Sequence, residues 1–125
     1  MPTDITRLTQ AQRFEPAGHH GVAPVHLFGG DSYEGAVTVA LSHYLPGGGA
    51  DLSPVPAETL YVVVTGTLTL TDADGTSHEL RAFDGARLTA GTVRRVDNRT
   101  NLPASMLVVR PRQAGAATSP TGRRS

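Results

Sequence analysis

Apolar residues in this chain come in short, β-branched bursts, each stopped by Gly, Pro or Asp, and that punctuation restricts the fold more than any other feature. Val25-His26-Leu27-Phe28 stops at Gly29-Gly30-Asp31, and the run from Ala36 to Leu45 stops at Pro46-Gly47-Gly48-Gly49. Leu60-Tyr61-Val62-Val63-Val64 leads to Gly66, and Leu68-Thr69-Leu70-Thr71 leads to Asp72-Ala73-Asp74-Gly75. Segments 77–81, 86–88, 93–98 and 105–109 follow in the same manner. Alternating segments of this kind, one every ~8–12 residues, predict a sandwich or barrel. Asp74-Gly75 between two of them predicts a hairpin turn. No segment holds a helical period beyond two turns, and Thr6 to Arg13 reads as a short helix or an extended arm. The fold class is all-β.

Composition narrows the chemistry. The chain has 125 residues, enough for one buried core, and it contains no Cys. Disulfides, thiolate nucleophiles and Cys-ligated metals are therefore excluded. All 11 cationic residues are Arg, which removes Schiff bases, lysine-anchored pyridoxal phosphate and Walker-type loops. Trp is absent, aromatics make up 5%, and the 11 acids balance the cations, so no nucleic-acid partner is expected. The segment from Met1 to Arg7 has no apolar core of the signal-peptide kind, and no apolar run approaches a membrane span. A cytoplasmic chain with no membrane partner is the expectation. Residues 111–125, rich in Ala, Gly, Ser, Thr, Pro and Arg, read as a disordered tail. Residues 1–13 then form an N-terminal arm and 14–110 the folded domain.

From Pro46-Gly47 onward the sequence resembles the cupin family of small β-barrels. That family's first motif runs Gly, five residues, His-x-His, three or four residues, Glu, six residues, Gly, and Gly47 and Gly66 fit its ends. The second runs Gly, five residues, Pro-x-Gly, two residues, His, three residues, Asn, and Gly91 and Asn98 fit two of its landmarks. Asp84 stands where an Asp often follows the first Gly. The resemblance covers about residues 36–110, with 14–35 supplying leading strands, and it implies a single cupin-type β-barrel. Pro46 to Gly49 is then the turn of the first motif.

The departures fall on the chemistry. Where the family's metal-bearing members place two His, a Glu and a third His, this chain has Ser53, Val55, Thr59 and Arg94; Phe83 and Thr89 replace a Gly and a Pro. Val and Thr offer no strong lone pair and Arg brings a repelling charge, so no metal and no other cofactor is expected. A rebuilt site from His20, His26 and His43 is the alternative.

If the cupin ligand positions face the barrel lumen, as the resemblance implies, strand parity gives its lining. Thr59, Tyr61 and Val63 share one face; Arg94, Val96 and Asn98 share another; Ser53 and Val55 join them if extended. His43 lies on the apolar parity of Val37, Val39, Leu41 and Leu45, which is taken as the lumen side. His43, Tyr61 and Arg94 are the expected catalytic residues, and His20, Ser53, Thr59 and Asn98 the expected substrate-binding ones. Each has a bland alternative: His43 as a satisfied core His, Tyr61 as packing, His20 as a solvated turn. Arg94 needs a partner inside a barrel. An internal salt bridge to Asp97, Asp84 or Glu58 is the first expectation and an anionic ligand the second.

These residues imply a metal-independent barrel that binds a small anionic, aromatic or polar metabolite. Non-redox acid–base catalysis of the isomerase, cyclase, lyase or decarboxylase type leads, ahead of a non-catalytic binding or sensing module and a metal-dependent dioxygenase with rebuilt ligands. Open strand edges favour pairing, so a homodimer is expected.

Overall fold

The computed structural model describes residues 3–113. After a 3-10 turn at Leu8–Gln10 come nine strands. They are β1 (Gln12–Arg13), β2 (His19–Phe28), β3 (Val37–Pro54), β4 (Thr59–Thr65), β5 (Leu68–Asp72), β6 (Ser77–Leu80), β7 (Gly85–Leu88), β8 (Val93–Asp97) and β9 (Ala104–Pro111). No described helix is long and apolar enough to cross a membrane.

β3 organises the barrel. Its first half pairs with β9 (Val37↔Pro111 through Tyr44↔Ala104), and its second half pairs with β8 (Gly49↔Asp97 through Pro54↔Val93). β2 follows its other edge, from Phe28↔Val39 to His19↔Ala50. The order β6-β5-β8-β3-β9-β4-β7 therefore folds into two facing sheets that share β2 and β3. The Gly47 to Gly49 run, expected as a turn, is instead a bend within one long strand. Gly47 takes φ 81°, and a Cβ on Gly49 would lie 2.2 Å from the Val96 carbonyl oxygen. Only Gly permits that conformation and that close approach at the corner.

The core between the sheets consists of Tyr44, Ala50, Val55, Tyr61, Val63, Leu68, Leu70, Leu88, Val96, Ala104 and Met106. Burial of alternate positions on β4 (Thr59, Tyr61, Val63) and β8 (Arg94, Val96) matches the parity read from sequence. The Asp74-Gly75 hairpin forms as expected: Gly75 has φ 89°, and its N–H donates to the Asp72 carbonyl at 3.0 Å. The Asp74 carboxylate accepts the Thr76 N–H at 2.9 Å, which holds the Asp74 carboxyl below its ordinary pKa. Phe83 keeps φ 69° where the cupin pattern has Gly, the one non-Gly residue at positive φ among the described residues.

Both ends of the domain extend past the expected boundaries. β1 pairs with β2 (Gln12↔His26), and the Phe14 N–H donates to the Pro24 carbonyl, so the arm is part of the sheet. At the other end Pro111 pairs with Val37, and the Arg112 N–H reaches the Ala36 carbonyl at 2.9 Å. The remainder of the expected tail, from residue 114, lies outside the described residues.

Candidate functional site

Arg94 is 5% exposed and projects from β8 into the barrel. Its Nε–H donates to the Tyr61 hydroxyl at 2.9 Å, and Nη1 donates to Ser53 Oγ at 2.9 Å and to the Asp51 carbonyl at 3.1 Å. All these acceptors are neutral. The expected internal salt bridge does not form, because the three candidate acids are committed elsewhere. Glu58 pairs with Arg87, Asp97 with Arg99, and the Asp84 carboxylate accepts the Arg81 backbone N–H.

A second guanidinium points the same way. Arg110, near the end of β9, is partly buried and donates from Nε to Thr59 Oγ1 at 2.9 Å. Among the described residues no carboxylate lies within 4.0 Å of either Arg94 or Arg110. Both line one small hollow of about 80 Å³, together with His19, Tyr44, Tyr61 and Phe14. An adjoining recess of about 150 Å³ shares Phe14, Ala40, Val108 and Arg110 with it, and adds His26. The Phe14 ring stacks on His26 with centroids 3.9 Å apart, and both line this recess.

Tyr44 does not offset the positive charge. Burial, helped by the neighbouring Tyr61, pushes the Tyr44 hydroxyl well above its ordinary pKa, so Tyr44 stays neutral. His19 is also held neutral: burial lowers its pKa from 6.5, and the Arg94 and Arg110 charges lower it further. Its Nδ1–H donates to the Ala17 carbonyl at 3.0 Å, which leaves Nε2 with the free lone pair.

Several residues proposed from sequence sit elsewhere. His43 is on the outer face of β3, with Nδ1 3.0 Å from Ser105 Oγ. The parity of Val37, Val39 and Leu41 is the more apolar one, but Ala40, Ser42 and Tyr44 on the opposite parity line the lumen. His20 points outward beside Asp51 at 3.6 Å, with more than half its side chain exposed. The cause is a register shift between His20 and Val22. Val22 packs against the core, so simple alternation would turn His20 inward; the break in pairing, where Gly21 at φ 61° lies opposite the stretch from Leu45 to Gly48 of β3, turns His19 inward instead.

Ser53 and Thr59 do lie at the site, but they position the guanidiniums. Ser53 Oγ accepts from Arg94 and donates to the Asp51 carbonyl. Thr59, fully buried, accepts from Arg110 and donates to the Ala57 carbonyl. Asn98 has no capacity left for a ligand. Its amide donates to the Tyr44 and Leu102 carbonyls, and its oxygen accepts from the Thr100 N–H and hydroxyl.

Sequence reasoning missed Arg110, His19, Tyr44 and Phe14. For Arg110 a signal exists: it continues the inward alternation Ala104, Met106, Val108 of β9.

The four positions that hold metal in metal-bearing cupins do not fit an ion here. Ser53 and Thr59 have spent their hydroxyls, Val55 has no donor, and Arg94 fills the space between them with a cation. The rebuilt His set is not assembled either. His20 is outside by Asp51, His26 stacks on Phe14, and His43 is on the outer face. Among the described residues no three His, Asp or Glu side chains are grouped to hold a metal ion.

Comparisons agree with this architecture. The family model described as Cupin domain matches residues 40–110. A protein named beta-D-galactosidase from Mycobacterium tuberculosis is 38% identical over 105 residues, spanning 83% of this chain and 90% of that protein. A polyketide cyclase from Streptomyces resistomycificus superposes with a TM-score of 0.77 at 15% identity, covering 88% of this chain and 80% of that one. A sugar phosphate isomerase of the cupin superfamily from Silicibacter pomeroyi superposes with a TM-score of 0.73 at 26% identity, covering 90% and 76% of the respective chains. On the matched residues and the barrel they form, the chain belongs to the cupin family.

Proposed function

We propose that the lumen binds a small organic anion between Arg94 and Arg110 and performs non-redox acid–base chemistry on it. The observation that carries this is the pair of guanidiniums lining one hollow with no carboxylate partner among the described residues. Burying a charge costs several kcal/mol unless it is compensated, and a bound carboxylate, enolate or phosphate supplies the compensation. Arg94 Nη2 and both terminal nitrogens of Arg110 have no hydrogen-bond acceptor among the described residues, so each has donors to offer. Tyr61 accepts from Arg94, which leaves its own proton to donate to the ligand. The sugar phosphate isomerase relative gives independent support, since a sugar phosphate is an anion and isomerisation needs no redox metal.

The beta-D-galactosidase relative favours a second reading, a neutral sugar as ligand. Glycoside hydrolysis ordinarily uses two carboxyl groups flanking the bond, about 5–10 Å apart. The lumen hollow has no Asp or Glu in its lining, so the anion reading leads. The test is a thermal-shift screen of small carboxylates, phosphates and β-galactosides. The expected result is stabilisation by anions in the unaltered protein and none in Arg110→Met. Stabilisation by galactosides alone, unchanged in Arg110→Met, overturns it in favour of the sugar.

The homodimer remains part of the proposal. The outer face of β3, β9 and β4 carries Val39, Leu41, Leu107, Val109, Leu60 and Val62 with no charged side chain among them. Its charges sit at the rim, in the Arg87–Glu58 pair beside Leu60. A chargeless patch is self-complementary about a two-fold axis, which suits a second copy. Light scattering should give twice the chain mass, and Leu107→Glu should halve it; a monomer at micromolar concentration contradicts the pairing.

A further inference from the structure

His19 stands at the boundary between the anion hollow and the outside. It lines the lumen hollow with Arg94, Arg110, Tyr44 and Tyr61, and it also lines an outer hollow with Glu15, Pro16, Ala17 and Gly18. The carbonyl of Ala17 fixes its tautomer, with the proton on Nδ1 and the lone pair on Nε2. The charged and titratable groups facing it are Arg94 on β8, Arg110 on β9, Asp51 and Tyr44 on β3, Tyr61 on β4, and Glu15 on its own segment. Of these, the two inside cations face it from the ligand side and no described acid joins them there.

We propose that His19 is the proton-transferring residue of this site, Nε2 acting as the base toward a carbon next to the carbonyl of an oxyanion held by Arg94 and Arg110. The inference rests on the anion reading above and names the reactive class: small 2-oxo acids and aldose or ketose phosphates. Nε2 takes the proton as the C–H bond breaks, and that electron pair forms the C=C bond of an enolate while the carbonyl pair moves to oxygen. The oxygen's new negative charge lies against guanidinium N–H donors, which are stronger partners for it than for the ketone. Nε2–H then returns the proton to the same carbon. In an aldose or ketose phosphate the α-hydroxyl proton first passes to the new oxyanion, so that return of the proton to the former carbonyl carbon gives the isomer. In either case the ring ends neutral with no net oxidation or reduction. Three features suit His19 to this role: neutrality at pH 7, a tethered ring, and access to solvent through the outer hollow for proton exchange. A bound anion also raises its basicity by cancelling the two cations that lower it.

The test uses the full chain, its His19→Gln variant and sulfate as a probe that does not titrate in the working range. Imidazole NMR follows His19 with and without sulfate. Solvent deuterium exchange into pyruvate, 2-oxoglutarate, glyceraldehyde 3-phosphate and ribose 5-phosphate follows proton transfer. The expected result has three parts. Sulfate moves the His19 titration to higher pH; at least one probe exchanges; and His19→Gln slows that exchange 100-fold or more while sulfate affinity changes less than threefold. Exchange unaffected by His19→Gln overturns the proposal and leaves the anion reading standing. So does sulfate binding with an unmoved His19 titration, or sulfate binding with no exchange of any probe. Absence of sulfate binding to the unaltered protein overturns the anion reading and this proposal together.

Discussion

The Nε–H of Arg94 points at the hydroxyl oxygen of Tyr61, 2.9 Å away, and both side chains are buried. A hydrogen bond to a phenol does not balance a guanidinium's charge as a carboxylate would. The barrel therefore holds a cation with no carboxylate partner among the described residues, and stability and binding should pull in opposite directions there.

Replacing Arg94 with Met removes the buried charge while keeping a similar length of apolar chain. Stability without ligand should stay level or rise, by about 0–2 kcal/mol. Anion-dependent stabilisation should fall roughly 10- to 100-fold in affinity, the loss of one charge-assisted contact. Thermal denaturation with and without a small carboxylate measures both. A variant that is less stable than the unaltered protein yet binds the anion as tightly would show that Arg94 is structural.

His43 and His20 offer the reverse case. Each lies outside the lumen, His43 against Ser105 and His20 beside Asp51. His43→Ala and His20→Ala should leave anion affinity and any turnover within about twofold, with stability changes near 0.5 kcal/mol, as for ordinary surface substitutions. Calorimetric titration of each variant checks this.

Most of the barrel was legible in the sequence because alternation and turn residues report local constraints. The inward faces of β4 and β8 followed from parity once Thr59 and Arg94 were set at the cupin ligand positions. What failed were places where tertiary structure overrides local pattern. On β3 the more apolar parity faces outward, so hydrophobicity alone pointed the wrong way for His43. Between β2 and β3 a register shift, with Gly21 at φ 61° opposite the longer stretch from Leu45 to Gly48, exchanged His20 for His19. The partner of Arg94 was illegible because it depends on which acid each of the other Arg residues claims across the barrel: Glu58 by Arg87 and Asp97 by Arg99.

Asn98 ties β3 at Tyr44 to the loop at Thr100 and Leu102 through one amide. It is 1% exposed. Asn98→Ala should destabilise the fold by about 2–3 kcal/mol, since two carbonyls and the Thr100 donors lose their partner. Urea unfolding should show a lower midpoint with an unchanged slope. Anion affinity of the remaining folded protein should be nearly unaltered.

The depressed His19 pKa sets a pH dependence with a definite sign. Below 6.5 the unfolded chain binds a proton that folded His19 resists, so acidification through that range destabilises the fold. The loss continues until the pH falls below the folded-state value, where it levels off. Thermal midpoints from pH 7.5 to 5 should therefore fall less steeply in His19→Gln than in the unaltered protein. A bound oxyanion should flatten the unaltered protein's curve as well, by raising the folded-state pKa.

The most direct measurement is calorimetric titration of a small 2-oxo acid and of galactose into the unaltered protein, Arg94→Met, Arg110→Met and the double variant. The account predicts one anion bound per chain, weakened in each single variant and lost in the double, with galactose giving no heat. Anion binding that is indifferent to both substitutions, or galactose binding that survives them while anions fail, would contradict it.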